Sequence, residues 1–347
     1  MTEEKQISAD EIALYDRQIR LWGMAAQTRM RSANVLLVNI GALANEIAKN
    51  IVLAGIGSLT VLDCSTVTAL HLGGEFFIEG SDVGLKRAEA AVPRIQKLNP
   101  RVSIIADTSD FRELPSEYYS KFNIIVATEL QLHDLIKMNE FARQSSIPFY
   151  AGGSIGLYGY VFVDLLKHKF TIEREKSNFP AKIGPESNTR SVTDVMVKKD
   201  GPKLKEVISK VESYKSLAES LKSDSLTKLR PRTQLKVSPV LPAVKAMWEY
   251  YKTSGGDAKP RSPEALARFH NLVLEACRSL GLPAGIASPE FTASFARNIG
   301  TELSPVAAIL GGVLAQDILN CLGQREQPIQ NWVVLDGNTS SCPIYTL

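Results

Sequence analysis

A turn and a carboxylate give the first hint of chemistry in this chain. Val35-Leu36-Leu37-Val38 is a short continuous apolar run leading into Asn39-Ile40-Gly41-Ala42, and a second run, Leu59-Thr60-Val61-Leu62, ends at Asp63. A turn between a buried strand and a helix offers backbone N–H groups to phosphate. A carboxylate about 20 residues further on can hold a ribose hydroxyl. The phosphate-binding version needs glycines so that the backbone can approach the ligand, and here Gly41 stands alone where the fingerprint asks for three. The pattern predicts a nucleotide-binding fold kept for its shape, with no nucleotide of its own. A second chemical feature is the pair Arg17 and Arg20. At about 100° per residue they share one side of a helix, opposite Ile12, Tyr15, Ile19 and Trp22. They form either a solvated basic face or a site for anionic groups.

The elements that must position these residues follow in order. Ser8-Ala9-Asp10-Glu11 is a capping box that opens the first helix. Leu43, Ile47, Ile51 and Ala54 recur at helical spacing after the turn, and Gly55 serves as a C-cap. A helix over residues 87–98, strands at 102–105 and 124–127, a helix over 130–144, and strands at 147–151 and 160–163 continue the series. This predicts an α/β, Rossmann-like doubly wound domain. Residues 167–232 are charged, with turn signals at Gly184-Pro185 and Gly201-Pro202 and only short strand-like pieces such as 191–195. They are expected to form a small inserted domain, partly flexible over 198–232. Residues 234–282 read as helical, with a loop at 254–257. Residues 305–322 read as an apolar helix containing Gly311-Gly312, suited to close packing, and 332–337 as a final strand and turn. The expected division is 1–166, 167–232 and 233–347.

Composition excludes several classes. A net charge of +3 on 347 residues is too near neutral to argue for nucleic acid or a membrane surface. Residues 1–5 have neither the basic start nor the apolar run of a signal peptide. The run 305–315 is too short to span a bilayer. Cys64, Cys277, Cys321 and Cys342 form no Cys-x-x-Cys pair, so no metal site is predicted, and a reduced intracellular protein is expected. Cys64 follows a buried strand and Cys321 lies in the apolar helix, contexts in which cysteines are usually inert. Residues 228–232, Lys-Leu-Arg-Pro-Arg, are read as a solvated loop rather than a nuclear-import signal.

Three blocks in order carry a resemblance: residues 15–23 (Tyr-Asp-Arg-Gln-Ile-Arg-Leu-Trp-Gly), 46–55 (Glu-Ile-Ala-Lys-Asn-Ile-Val-Leu-Ala-Gly) and 305–317 (Pro-Val-Ala-Ala-Ile-Leu-Gly-Gly-Val-Leu-Ala-Gln-Asp). They resemble the activating enzymes of ubiquitin-like modifiers, and within that family the branch acting on SUMO. The likeness covers residues 12–164 and the segment from about 301; the middle insert is only weakly similar. In that family two homologous adenylation folds pair, and one carries the complete ATP site. That half joins AMP to the modifier's C-terminal carboxylate, releases pyrophosphate, and a cysteine of the same subunit then takes the modifier as a thioester.

This chain resembles the other half. Asn39, Gly41, Ala42 and Ala44 stand at the family's four loop glycines. Asp63 is kept, but Ser65 replaces a second carboxylate. His71-Leu72-Gly73-Gly74-Glu75-Phe76 replaces Asn-x-Asn-Arg-Gln-Phe, so Gly74 stands where an arginine would meet phosphate. Arg87 replaces a lysine, and Gln131-Leu132 an Asp-Asn pair. The resemblance implies a heterodimer in which ATP and Mg are bound by the larger catalytic subunit, with no cofactor-binding or metal residue on this chain. SUMO and, through the complex, the conjugating enzyme are the further expected partners. The nucleus is the expected location, with the cytoplasm as a second one. By position Arg17 is the arginine that enters the partner's ATP site in trans, whereas Arg20 is expected to hold Asp16 or a backbone carbonyl. The alternatives are a nicotinamide-dependent oxidoreductase, a self-sufficient adenylating enzyme, and the corresponding half of the neddylation-activating enzyme. The missing glycines oppose the first, Gly74 and Ser65 the second, and the short insert the third.

Overall fold

A computed structural model describes residues 8–255 and 259–347. The sequence expectations for residues 1–5 and for the 256–257 part of the loop fall outside them. One sheet has the order β12-β11-β6-β5-β4-β1-β2-β3 and a second the order β7-β10-β9-β8. In chain order the strands are β1 (Asn34–Val38), β2 (Ser58–Leu62), β3 (Ser103–Asp107), β4 (Ile124–Thr128), β5 (Phe149–Ile155), β6 (Tyr158–Asp164), β7 (Lys167–Glu175), β8 (Gly184–Pro185), β9 (Arg190–Asp200), β10 (Lys203–Ser213), β11 (Trp332–Asp336) and β12 (Ile344–Tyr345). Strands β3-β2-β1-β4-β5 are parallel, and β6, β11 and β12 extend the sheet antiparallel. The expected α/β doubly wound architecture is present.

The apolar run of β1 explains its central place. Leu36 and Val38 face one core, with the helices Leu132–Gln144, Val240–Ser254, Pro263–Ser279 and Pro289–Asn298. Val35 and Leu37 face the other, with Met24–Arg31, Ala42–Leu53, Arg87–Gln96 and Ser304–Gly323. A strand covered on both faces has no polar side, so its sequence is continuously apolar.

Four expectations change. The first helix is broken: Ala9–Leu14 opens with the predicted Ser8–Glu11 capping box, Tyr15 interrupts it, and Asp16–Trp22 ends at Gly23. Ile12 is exposed, off the packed face. The apolar C-terminal helix has 20 residues, enough in length and composition to cross a bilayer, but Leu310, Leu314 and Ile318 are wholly buried in the core. Its apolarity serves packing, and Gly311 permits it: a Cβ there would lie 2.5 Å from Glu46 Cβ on the Ala42–Leu53 helix.

The insert also differs, with long strands in place of short pieces; β9 and β10 have 11 residues each. Sequence alternation missed them because inward positions of β10 carry charge. Glu206, Lys210 and Glu212 are buried and are paired with Arg174, Glu186 and Arg190 respectively. Beyond the expected final strand, β12 adds a further edge.

Candidate functional site

Strand order reverses between β1 and β4, and the crevice beyond their C-terminal ends is where ligands bind in open α/β sheets. A cleft of about 720 Å³ opens there, with Asn39, Gly74, Arg87, Glu129 and Glu302 in its lining and Tyr160, Trp248 and Tyr251 along one wall.

N–H groups of the turn are engaged from within the chain. Asn39 takes the left-handed conformation (φ 67), which asparagine tolerates better than most residues, and its Nδ2 donates to the Thr128 carbonyl at 2.9 Å. The N–H of Ile40 donates to Asp63 Oδ2 at 2.9 Å, and the N–H of Ala42 to Glu302 Oε1 at 3.1 Å. Two N–H groups of a phosphate turn are thus bound to carboxylates of the chain itself. Gly41 is needed for close approach: a Cβ there would overlap Glu129 Oε2 and lie 2.8 Å from Glu302 Oε1. Gly74, at the arginine position, also faces Glu302, with a hypothetical Cβ 3.2 Å from its Oε2.

Below the turn, Arg87 is buried between two carboxylates, 2.7 Å from Asp63 Oδ2 and 2.9 Å from Glu75 Oε1, and it also donates to Asn39 Oδ1. Burial opposes ionisation of Asp63, but Arg87 and the N–H groups of Ile40 and Ser65 outweigh it and hold the carboxyl below its ordinary range. Burial dominates at Glu75; Arg87 offsets it only in part, and Glu302 adds repulsion, so this carboxyl is pushed up to about 7. The Ser154 hydroxyl donates to Glu129 at 2.6 Å. Burial first, and the Glu302 carboxylate second, push Glu129 up to about 8. Glu129 therefore keeps its proton at neutral pH.

The structure brings Asn39, Gly41, Ala42, Asp63, Gly74 and Arg87 to one site, with Gln131 on the rim. Ser65 supports Asp63 with its N–H at 2.8 Å. Arg17 does not line the cleft; it is exposed and has no hydrogen-bond or ion-pair partner among the described residues. Arg20 pairs with Asp16 at 3.0 Å, as its spacing suggested. Sequence reasoning missed Glu129 and Glu302. Glu302 is 260 positions from Ala42, and no local spacing signals their contact.

This sheet order, with a turn at its switch point, defines a Rossmann-like doubly wound α/β fold, and here the anion seat is filled from within. The chain matches the ThiF family over residues 15–346 and belongs to it. It is similar to DNA damage tolerance protein RHC31 of Saccharomyces cerevisiae, 41% identical over 98% of each chain. DNA damage tolerance protein rad31 of Schizosaccharomyces pombe is 34% identical, again over 98% of each. SUMO-activating enzyme subunit 1 of Homo sapiens is 34% identical over 95% of this chain and 93% of its own length.

Proposed function

We propose that this chain is the non-catalytic half of a heterodimeric SUMO-activating enzyme. It supports ATP-dependent adenylation of the SUMO C-terminus and thioester transfer in a larger partner subunit. Near full-length similarity to SUMO-activating enzyme subunit 1 supports the assignment. The observation that carries the non-catalytic part is the Glu302 carboxylate on the Ala42 N–H, with Glu129 beside it. A triphosphate brought there would meet the Glu302 carboxylate on the turn's N–H and the Glu129 side chain against Gly41 where it needs free donors, so the residues present do not fit ATP. ATP and Mg belong to the partner's site, and no step of the reaction runs through this cleft.

Arg17 acts in trans in this reading. Its exposed guanidinium, on a short surface helix, is free to enter a neighbouring site. There it would offset charge on the polyphosphate as the SUMO carboxylate attacks the α-phosphate and pyrophosphate leaves. SUMO and the conjugating enzyme are reached through the complex, in the nucleus first and in the cytoplasm as a second location.

ATP–pyrophosphate exchange driven by SUMO tests the reading, with this chain alone, the larger subunit alone and both together. Exchange only in the mixture, slowed by Arg17→Ala without loss of assembly, supports it. Exchange by this chain alone makes it a self-sufficient adenylating enzyme, and a change in nicotinamide fluorescence on mixing would favour the oxidoreductase.

A further inference from the structure

One side chain joins the Arg17 helix to the inserted sheet. Gln324 closes the Ser304–Gly323 helix in the left-handed conformation, and the chain then runs along β7, an edge strand of the second sheet. The N–H of Thr171 donates to the Gln324 carbonyl at 3.1 Å, and the N–H of Glu326 to the Thr171 carbonyl at 3.1 Å. Arg325 lies between these contacts. Its Nη1 donates to the Trp22 carbonyl at 2.9 Å, and its Nη2 is 3.4 Å from Glu173 Oε2 on β7. Glu173 is itself held by Lys198 at 3.0 Å and Lys205 at 3.2 Å.

Trp22 ends the Asp16–Trp22 helix, and the carbonyls of a helix C-terminus attract a cation. Gly23 follows with φ +85, and a Cβ there would lie 3.4 Å from Arg325 Nη1. The helix has seven residues, none of them buried. Only Trp22, at its C-terminal end, packs against the core, and Gln18 Nε2 donates to the Leu53 carbonyl at 3.4 Å. The direction of the helix therefore depends on a few contacts, most of them polar. Its start is held by the Tyr15 hydroxyl, which accepts from Asn99 Nδ2 at 2.8 Å. Its end is held by Trp22 Nε1 on Gln27 Oε1 at 2.9 Å and by Arg325. Arg17 lies between these anchors.

We propose that Arg325 is a positioning residue that passes the seat of the inserted sheet to the end of the Asp16–Trp22 helix and so fixes where Arg17 is presented. The proposal rests on the in-trans role of Arg17, and it makes the insert a brace for that helix.

The test uses the assembled heterodimer. Arg325→Ala should lower kcat of SUMO-driven ATP–pyrophosphate exchange by about tenfold, since small misplacements of a positioned group are expensive, with KM for ATP little changed. The Arg17→Ala/Arg325→Ala double variant should be no slower than Arg17→Ala alone, because the two act through one guanidinium. Arg325→Lys should restore part of the rate, and Glu173→Gln should give a smaller loss in the same direction. Amide hydrogen exchange supplies a readout independent of activity: in Arg325→Ala, residues 17–23 should exchange about tenfold faster while β1 and β4 stay unchanged. Unchanged exchange in residues 17–23 overturns the proposal, and so do additive losses in the double variant. Full activity of Arg17→Ala overturns the in-trans role and the catalytic consequence with it, while hydrogen exchange still decides whether Arg325 braces the helix.

Discussion

Glu302 accepts a hydrogen bond from the N–H of Ala42 at 3.1 Å and thereby caps the Ala42–Leu53 helix from far along the chain. An anion at a helix N-terminus is favourable, and this one is covalently part of the fold. Glu302→Ala should therefore lower stability by about 1 kcal/mol through loss of the cap, read by urea unfolding. It should not create ATP binding, because Glu129 still faces Gly41. Measurable ATP affinity in that variant would mean that Glu302 alone keeps the turn closed.

Stability should fall as pH rises from about 5 to about 8. Native Glu129, pushed up to about 8, and Glu75 and Asp317, each pushed up to about 7, keep protons that unfolded carboxyls release near pH 4. The native state then binds more protons, so the stabilisation is full below the unfolded pKa and lost through the folded one. Glu129→Gln removes one of these groups. The difference in Tm between pH 5.5 and 8.5 should narrow in that variant, and an unchanged difference would deny Glu129 its raised pKa.

Arg87 should be the most sensitive polar residue of the site. Removing it as Arg87→Leu leaves Asp63 and Glu75 buried without their cation, which costs about 3–5 kcal/mol. Arg87→Lys should lose less, since it keeps the charge but not the fork that reaches both carboxylates. Equal losses in urea unfolding would show that charge, rather than geometry, holds the cluster.

The two adjacent glycines of the C-terminal helix should answer oppositely to alanine. Gly311→Ala drives a methyl into Glu46 Cβ and the Leu43 carbonyl, and overpacking of this kind costs about 1–3 kcal/mol. Gly312 faces open space, so Gly312→Ala should stabilise the helix by about 0.5–1 kcal/mol. Thermal unfolding of the pair separates packing from propensity.

Arg17 and Arg20 should separate in the same way. Arg17→Ala should leave Tm unchanged while slowing exchange in the heterodimer on the order of 10²-fold or more, as loss of an arginine finger does. Arg20→Ala removes an exposed i,i+4 pair with Asp16, worth about 0.3–0.5 kcal/mol, and should leave exchange near wild type. A reversed result would assign the in-trans role to Arg20.

Much of this was legible in the residues alone. Continuous apolar runs such as Val35-Leu36-Leu37-Val38 announce strands buried on both faces, and the helical recurrence of Leu43, Ile47 and Ile51 announces a helix between them. Those are local patterns with fixed periods, so the α/β sheet and the degraded turn at Gly41 could be read directly. The strands of the insert could not. The alternation of β10 is written in Glu206, Ile208, Lys210 and Glu212, and charges at inward positions look solvated until Arg174, Glu186 and Arg190 are seen to neutralise them.

Architecture and the loss of phosphate-binding glycines are written in the residue string, because backbone periodicity and turn chemistry depend on near neighbours. What fills the vacated anion seat depends on the folded chain. The Glu302 carboxylate reaches the Ala42 amide, and Arg325 reaches the Trp22 carbonyl, only after the sheet has brought distant segments together. Electrostatic contacts at a few ångströms have no sequence period, and their partners are fixed by the fold.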